Sequence, residues 1–302
     1  MTDRLPSWRP GPTRDAIVEF LDGIGRVPVD ERVAYVDNDG TLWCERPSYV
    51  QFDFFADALR SNVERHPHLA DEPAFAAVLT GDMEAIGRIG IADVAGALAA
   101  MFDGWTPEAF AAAVDDFASR YRHPTTGAPL AGIRYQPMLE LLDELRAHDV
   151  TVGLVTGGGT EFVRRISLPL YDVDPGLVVG TLIGYEFARG GDGRPELHRS
   201  AALTGTANEG GAKVAHIQSQ LGRPPLIAIG NSGGDREMLE WAQAHPRGGL
   251  ALLVDHDDTE REFAYASEAA TFADDEPILE VAARLGWTVV SMANDWDTVF
   301  GR

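Results

Sequence analysis

Three short apolar runs in this chain, Val33 to Val36, Val150 to Val155 and Leu226 to Ile229, each break abruptly into glycine, acidic or hydroxyl residues. Residues at helical spacing follow the second and third. A strand that is apolar along its whole length is buried on both faces, which is a property of parallel sheets covered by helices. The alternation continues through a helix from Pro137 to Ala147, another from Thr160 to about Leu168, a third from Gly210 to Leu221, a fourth from Asp235 to Ala244, and a strand from Leu250 to Val254. The expected class is α/β with a doubly wound parallel sheet. Ligands of such sheets bind beyond the carboxyl ends of the strands. Chemistry is therefore expected just after Val36, Val155 and Ile229.

Between Tyr49 and about Tyr121 the pattern changes. Alanine-rich, helix-spaced segments run from Val50 to Val63, Glu72 to Leu79, Ile91 to Phe102 and Pro107 to Arg120, as in a small helical bundle. The loop from Arg122 to Gly132, with two prolines and two glycines, marks its end. The 302 residues fit a main domain carrying an insertion. Leu177 to Phe187 alternates and is expected to form a hairpin whose polar turn is Gly190 to Pro195.

Composition narrows the function. A formal net charge of -22 repels nucleic acid and anionic membranes, and no apolar run approaches the ~18 residues that cross a bilayer. Met1 to Pro12 lacks the apolar stretch of a secretory signal, so a cytoplasmic protein is expected. The single cysteine, Cys44, builds neither an internal disulfide nor a thiolate zinc site and reads as a small buried or hinge residue. His148, His216 and His245 lack metal-ligand spacing and are expected on solvent-facing helix surfaces. Trp287 and Trp296 are expected to pack the last elements onto the core. An anionic substrate would need local positive charge against this acidic background.

Four segments carry residues with chemical capacity. Asp37-Asn38-Asp39-Gly40 follows the first strand, and two carboxylates spaced i, i+2 at a strand end call for a cation or a shared proton. Mg2+ suits such oxygens, although the same sequence also makes a plain loop or a generic cation site. Thr156-Gly157-Gly158-Gly159 follows the second strand and places a hydroxyl and backbone amides at a helix N-terminus, either a phosphate cradle or a tight turn. Lys213 is the only lysine beside 24 arginines, and it stands in a first helical turn, where a cation works against the macrodipole. Gly230-Asn231-Ser232-Gly233-Gly234-Asp235 follows the third strand and offers an amide oxygen and a carboxylate, or simply a turn with a helix cap.

In this order the four segments resemble the haloacid dehalogenase-like superfamily of phosphohydrolases, nearest its phosphoserine-phosphatase-like branch. Asp37 and Asp39 in DNDGTLW match the first motif, Thr156 in VTGGG the second, Lys213 the third, and Asn231 with Asp235 in GNSGGD the fourth. The resemblance runs from about Arg32 to Val254. It implies a Rossmann-like core, residues 1–44 and 136–302, with a helical cap, residues 45–135, inserted between the first two motifs. It also implies Mg2+-dependent hydrolysis of a small phosphorylated metabolite. Asp37 would be the nucleophile, Asp39 the general acid and base, Thr156 and Gly157 the phosphoryl cradle, and Lys213 the charge partner. The metal would lie among Asp37, the Asp39 carbonyl and Asn231, with Asp235 binding through water or orienting the shell. Asparagine at 231, where the motif usually has aspartate, is expected to weaken metal binding. The substrate-gripping glutamate of phosphoserine phosphatases stands nine residues after the nucleophile, a position held here by Arg46, with Glu45 one residue off register. Glu45, Arg46, Tyr49 and Arg122 are candidate substrate contacts, and Arg46 suggests a more anionic molecule. A phosphotransferase or phosphomutase would use the same motifs, and a non-catalytic phospholigand-binding protein is the alternative from another class.

Overall fold

A computed structural model describes residues 4–273 and 275–301. Met1 to Asp3, the start of the stretch read for a leader, lie outside the described residues. In chain order the main elements are α1 (Pro12–Gly23), β1 (Val33–Val36), α2 (Val50–Arg65), α3 (Pro73–Thr80), α4 (Met83–Ile89), α5 (Ile91–Ala100), α6 (Pro107–Arg120), α7 (Gln136–Ala147), β2 (Thr151–Gly159) and α8 (Thr160–Tyr171). They continue as β3 (Val178–Arg189), β4 (Pro195–Thr204), α9 (Gly211–Gln220), β5 (Ile227–Gly230), α10 (Arg236–Gln243), β6 (Leu250–Asp255), α11 (Ile278–Leu285), β7 (Thr288–Ser291) and α12 (Met292–Asp295).

The strands form one sheet among the described residues, in the order β4-β3-β2-β1-β5-β6-β7. All neighbours are parallel except β3 and β4, which make the expected hairpin. Strand alternation divides the apolar residues between two cores. Ala34, Val36, Leu154, Ile227, Ile229, Leu252 and Val254 join α1, α7 and α8 on one face. Val33, Tyr35, Val155, Ala228, Ala251 and Leu253 join α9, α10 and α11 on the other. Both faces are covered, so the four residues of β1 are all buried.

The helical segment leaves and rejoins the sheet at one place. Cys44 donates its backbone N–H to Ile133, 2.9 Å, and Tyr135 donates to Leu42, 2.9 Å, so the outgoing and returning chains pair side by side. Cys44 is buried there. The ring of Phe54 packs against Phe55, Phe102, Phe110 and Phe117 of α2 to α6 and against Phe162 of α8, with centroids 5.4–5.6 Å apart. The hairpin β3-β4 grips the same bundle: Gly104 donates to the Arg199 carbonyl, Arg199 donates to Trp105, and the Arg199 guanidinium pairs with Glu161 of α8 at 2.7 Å.

Several elements differ from the sequence expectation. The glycine run after Val155 continues β2 through a register irregularity to Gly159 instead of turning, because Gly159 still pairs with Thr181 of β3. α1, α4, α11 and β7 were not anticipated. α4 is short, and α1 has only Ile17 and Leu21 fully buried, which leaves a weak periodic signal. His148, His216 and His245 are half-buried, not solvent-facing. His148 Nδ1 bonds the Glu144 carbonyl at 2.8 Å, and His216 Nδ1 bonds the Asn208 side chain at 2.9 Å. Trp287 and Trp296 are buried in the core as expected.

Candidate active site

β1 lies between β2 and β5, so their three carboxyl ends converge. The Asp37 amide donates to the Ile229 carbonyl, 2.9 Å, which keeps the chain on the sheet until the first carboxylate. Gly40 then turns the loop with φ +71°, and a Cβ there would stand 2.1 Å from Asn231 Nδ2. Only glycine lets the loops after β1 and β5 approach this closely.

Lys213 reaches this point from α9. The Gly210 amide donates to the Gly234 carbonyl, 2.8 Å, which seats the start of α9 on the loop after β5. Nζ donates to Asp37 Oδ1 at 2.6 Å, Asp235 Oδ1 at 2.6 Å and the Val155 carbonyl at 3.1 Å, which uses all three of its protons. Lys213 is 2% exposed. Burial opposes its charge, but Asp235 and Asp37 outweigh it and hold the group protonated well above the usual lysine range. The other oxygen of Asp235 accepts from the Asn231 and Ser232 amides, both at 3.1 Å, and from the Ser232 hydroxyl. Asp235 thus fixes the loop and the ammonium.

Burial pushes the Asp37 carboxyl well above the usual range, and Asp235 adds to the push while Lys213 opposes it. One ammonium between two buried carboxylates leaves Asp37 short of positive charge. Burial likewise raises Asp39, against hydrogen bonds from Trp43, Asn38 and Thr156. Trp43 Nε1 donates to Asp39 Oδ1 at 2.9 Å, and Thr156 Oγ1 lies 3.4 Å from Oδ2. The Gly158 amide donates to Thr156 Oγ1, 3.0 Å, and the Gly159 amide to Gln51 Oε1 of α2, 2.8 Å. Thr156 itself is fully buried, while Gly157 and Gly158 face the cavity.

That cavity, about 200 Å³, lies over Asp37 and Asp39 and is closed by Tyr49, Phe52, Phe55 and Ile91 from the helical side. Of the candidate substrate contacts, Glu45 and Tyr49 line it. Arg46 and Arg122 do not. The Arg46 guanidinium lies over the Tyr265 ring, 4.2 Å from its centroid, and Arg122 bonds the Tyr121 carbonyl. The suggestion that Arg46 favours a more anionic molecule is corrected accordingly: its charge is spent on an aromatic ring outside the cavity.

A magnesium ion would need hard oxygens here. Among the described residues no group of three or more Asp, Glu, His and Cys side chains is arranged to hold a metal, and the expected set would add the Asp39 carbonyl and the Asn231 amide to Asp37. Asn231 Oδ1 meets the Thr41 hydroxyl at 3.4 Å, and its buried Nδ2 has no hydrogen-bond partner. A half-turn of the amide would give that nitrogen Thr41 Oγ1 as acceptor and place an oxygen at the orphaned position. The residues fit a cation on that observation.

Sequence reasoning missed one buried group beneath this floor. His256, directly after β6, meets the Gly40 carbonyl with Nε2 at 2.8 Å and Glu262 with Nδ1 at 3.3 Å. Both ring nitrogens thus face oxygens of the protein, one on the loop after β1 and one on Glu262. Applying the strand-end rule to Val254 as well as to the other three ends would have found it. Glu209 was also missed. It accepts from the Ala270 and Thr271 amides and ties the segment after β6 across the cavity mouth.

A profile of haloacid dehalogenase-like hydrolases matches residues 34–240. The chain belongs to that family. No curated protein matches it. Among solved structures, a protein with unknown function from Bordetella pertussis Tohama I is similar at 16% identity and TM-score 0.53, over 86% of this chain and 98% of the other. A HAD family hydrolase from Salmonella enterica serovar Typhi matches at 15% identity and TM-score 0.43, over 84% of this chain and 70% of the other. A phosphoserine phosphatase studied as a phospho-aspartyl intermediate analogue matches at 15% and 0.38, over 84% and 98%. The Bordetella protein shares the fold, and at such identities the likeness goes no further. No described helix is long and apolar enough to cross a membrane.

Proposed function

We propose that this chain is a Mg2+-dependent phosphatase that hydrolyses a small phosphate monoester through an aspartyl-phosphate on Asp37. The observation that carries the reading is Lys213, a fully engaged ammonium binding Asp37 and Asp235 in the floor of the cavity. It supplies the local positive charge that a chain of net charge -22 requires around a phosphate. The helical segment 45–135 acts as the cap over a core made of residues 1–44 and 136–302.

Asp37 attacks phosphorus, and the bond from phosphorus to the leaving oxygen breaks. Asp39, whose buried carboxyl favours the protonated form, donates a proton to that oxygen. Asp39 then takes a proton from water, which attacks the acyl phosphate and frees Asp37. The Gly157 backbone holds the phosphoryl oxygens, Lys213 supplies positive charge beside them through its bond to Asp37, and Thr156 holds Asp39 and the glycine loop in place. Asp37, the Asp39 carbonyl and Asn231 would bind the magnesium ion, which supplies charge neutralisation at the phosphoryl oxygens.

Asp37→Asn should reduce magnesium-supported turnover of 4-nitrophenyl phosphate by ~10⁴-fold or more. Turnover that survives this change with an unchanged rate would remove the covalent mechanism.

A further inference from the structure

After β6 the chain runs from His256 to Pro277 with no helix or strand among its described residues. A loop of that length in a compact fold calls for a function. Both its ends are anchored. Arg261 donates to the Met292 and Trp296 carbonyls at 2.7 and 2.9 Å, the Tyr265 amide donates to the His256 carbonyl, and Glu276 pairs with Arg284 of α11 at 2.6 Å. Between those anchors, residues 266–273 form a strap that separates two cavities. In front lies the catalytic cavity, lined by Glu268, Ala270 and Thr271. Behind lies a second cavity of about 300 Å³, bounded by Ser267, Phe272 and Ala273 on the strap side and by Val254 and Ile278 on the sheet side. A wall with open space on both sides loses few packing contacts when it moves. Glu209 holds this wall to the core. Its carboxylate accepts from the Ala270 amide at 3.3 Å, the Thr271 amide at 2.9 Å and the Thr271 hydroxyl. The same carboxylate lies against the phosphoryl cradle, since a Cβ on Gly157 would stand 3.1 Å from Glu209 Oε1. Glu209 therefore touches the strap on one side and the cradle on the other.

The geometry points to a gate on the core side of the cavity, formed by residues 266–273 and latched by Glu209, that opens when phosphate occupies the cradle. This rests on the phosphatase reading. A phosphoryl group held by the Gly157 backbone places a second anion beside the Glu209 carboxylate, and like charges in a partly water-excluded space repel more strongly than in bulk water. The carboxylate relieves that repulsion by swinging away from Gly157. Its bonds to Ala270 and Thr271 then break, and the strap can move back into the second cavity. Such coupling is reciprocal: phosphate loosens the latch by the same factor by which the latched carboxylate weakens phosphate. Inorganic phosphate, the product of the proposed reaction, thus promotes its own exit without any opening of the helical cap. Glu209 acts here as a positioning residue for the strap and takes no part in the bond changes at phosphorus.

Deuterium exchange read by mass spectrometry on the full chain with magnesium, with and without inorganic phosphate, tests the coupling. Binding should slow exchange in β2, which carries Gly157. Residues 266–273 should exchange faster with phosphate present, by about tenfold. In Glu209→Gln the strap should exchange fast in both conditions, and the inhibition constant of phosphate against 4-nitrophenyl phosphate should fall by roughly tenfold, because the repelling charge is gone. Thr271→Val loosens the latch from the exposed strap and leaves every charge in place. It should lower the same constant by about threefold. Strap exchange that phosphate slows or leaves unchanged in the parent, or a phosphate constant that stays or rises in both variants, overturns the gate and leaves the phosphatase intact. If the parent turns over no 4-nitrophenyl phosphate, the phosphatase reading and the gate fall together.

Discussion

The floor and the roof of the cavity are built on opposite principles. The floor is polar and nearly saturated: Lys213 has three acceptors, Asp235 has four donors, and Asp39 is held by Trp43, Asn38 and Thr156. Its positions are set by directional bonds between strand ends that the parallel sheet brings together. The roof is aromatic and aliphatic, organised around Phe54, and among the described residues its directional links to the floor are few, such as the bond from the Gly159 amide to Gln51. Directional saturation fixes reacting atoms to within tenths of an ångström, whereas non-directional packing fixes a shape. Catalytic geometry and substrate selection are thereby assigned to different forces.

The sharpest way to break this contrast is Lys213→Met. It leaves Asp37 and Asp235 facing each other without a cation, so turnover should vanish and stability should fall by about 3–5 kcal/mol. Urea unfolding and aryl phosphate assays on the same variant measure both losses. A roof change of comparable size should separate them. Phe54→Ala removes the centre of the aromatic cluster and should cost about 3 kcal/mol, yet turnover well below the lowered Tm should stay within roughly an order of magnitude of the parent. If Phe54→Ala abolished turnover while still folded, the division between floor and roof would be wrong.

Asn231→Asp probes the floor more gently. Adding one carboxylate where the amide stands should tighten magnesium by roughly tenfold, read from the metal dependence of turnover, with no change in the order of substrates. The smallest effect concerns pH. Burial pushes the Glu262 carboxyl up, but its bonds and charge interactions, led by His256, more than offset this and hold it below the usual carboxylate range. A depressed pKa contributes stability above the unfolded value and loses it as pH falls through the folded one. Glu262→Gln should flatten the acid side of the stability curve, and Phe54→Ala should lower that curve without altering its slope. Equal acid slopes for parent and Glu262→Gln would show that the floor's charge pairs do not govern acid stability.

Much of the floor was legible because it is written in short contiguous segments. Asp37 and Asp39, the glycines after Val155, and Asn231 with Asp235 each follow an apolar strand, and the rarity of lysine drew attention to Lys213. The roof was legible only as helices, since alanine-rich periodicity identifies a buried face without saying what lies opposite. Glu45 and Arg46 illustrate the limit. They are adjacent and oppositely charged, and nothing local decides which enters the cavity.

The amino-acid order by itself determined the alternation of buried strands and helices, and with it the line along which reactive groups gather, because burial on two faces requires an unbroken apolar run. Tertiary structure alone decided that Arg46 stacks on Tyr265 while Glu45 faces Asp39's loop, that His256 reaches back 216 residues to Gly40, and that Glu209 ties down the segment across the mouth. Those pairings depend on how separate elements pack, and such contacts between distant residues leave no periodic trace in the chain.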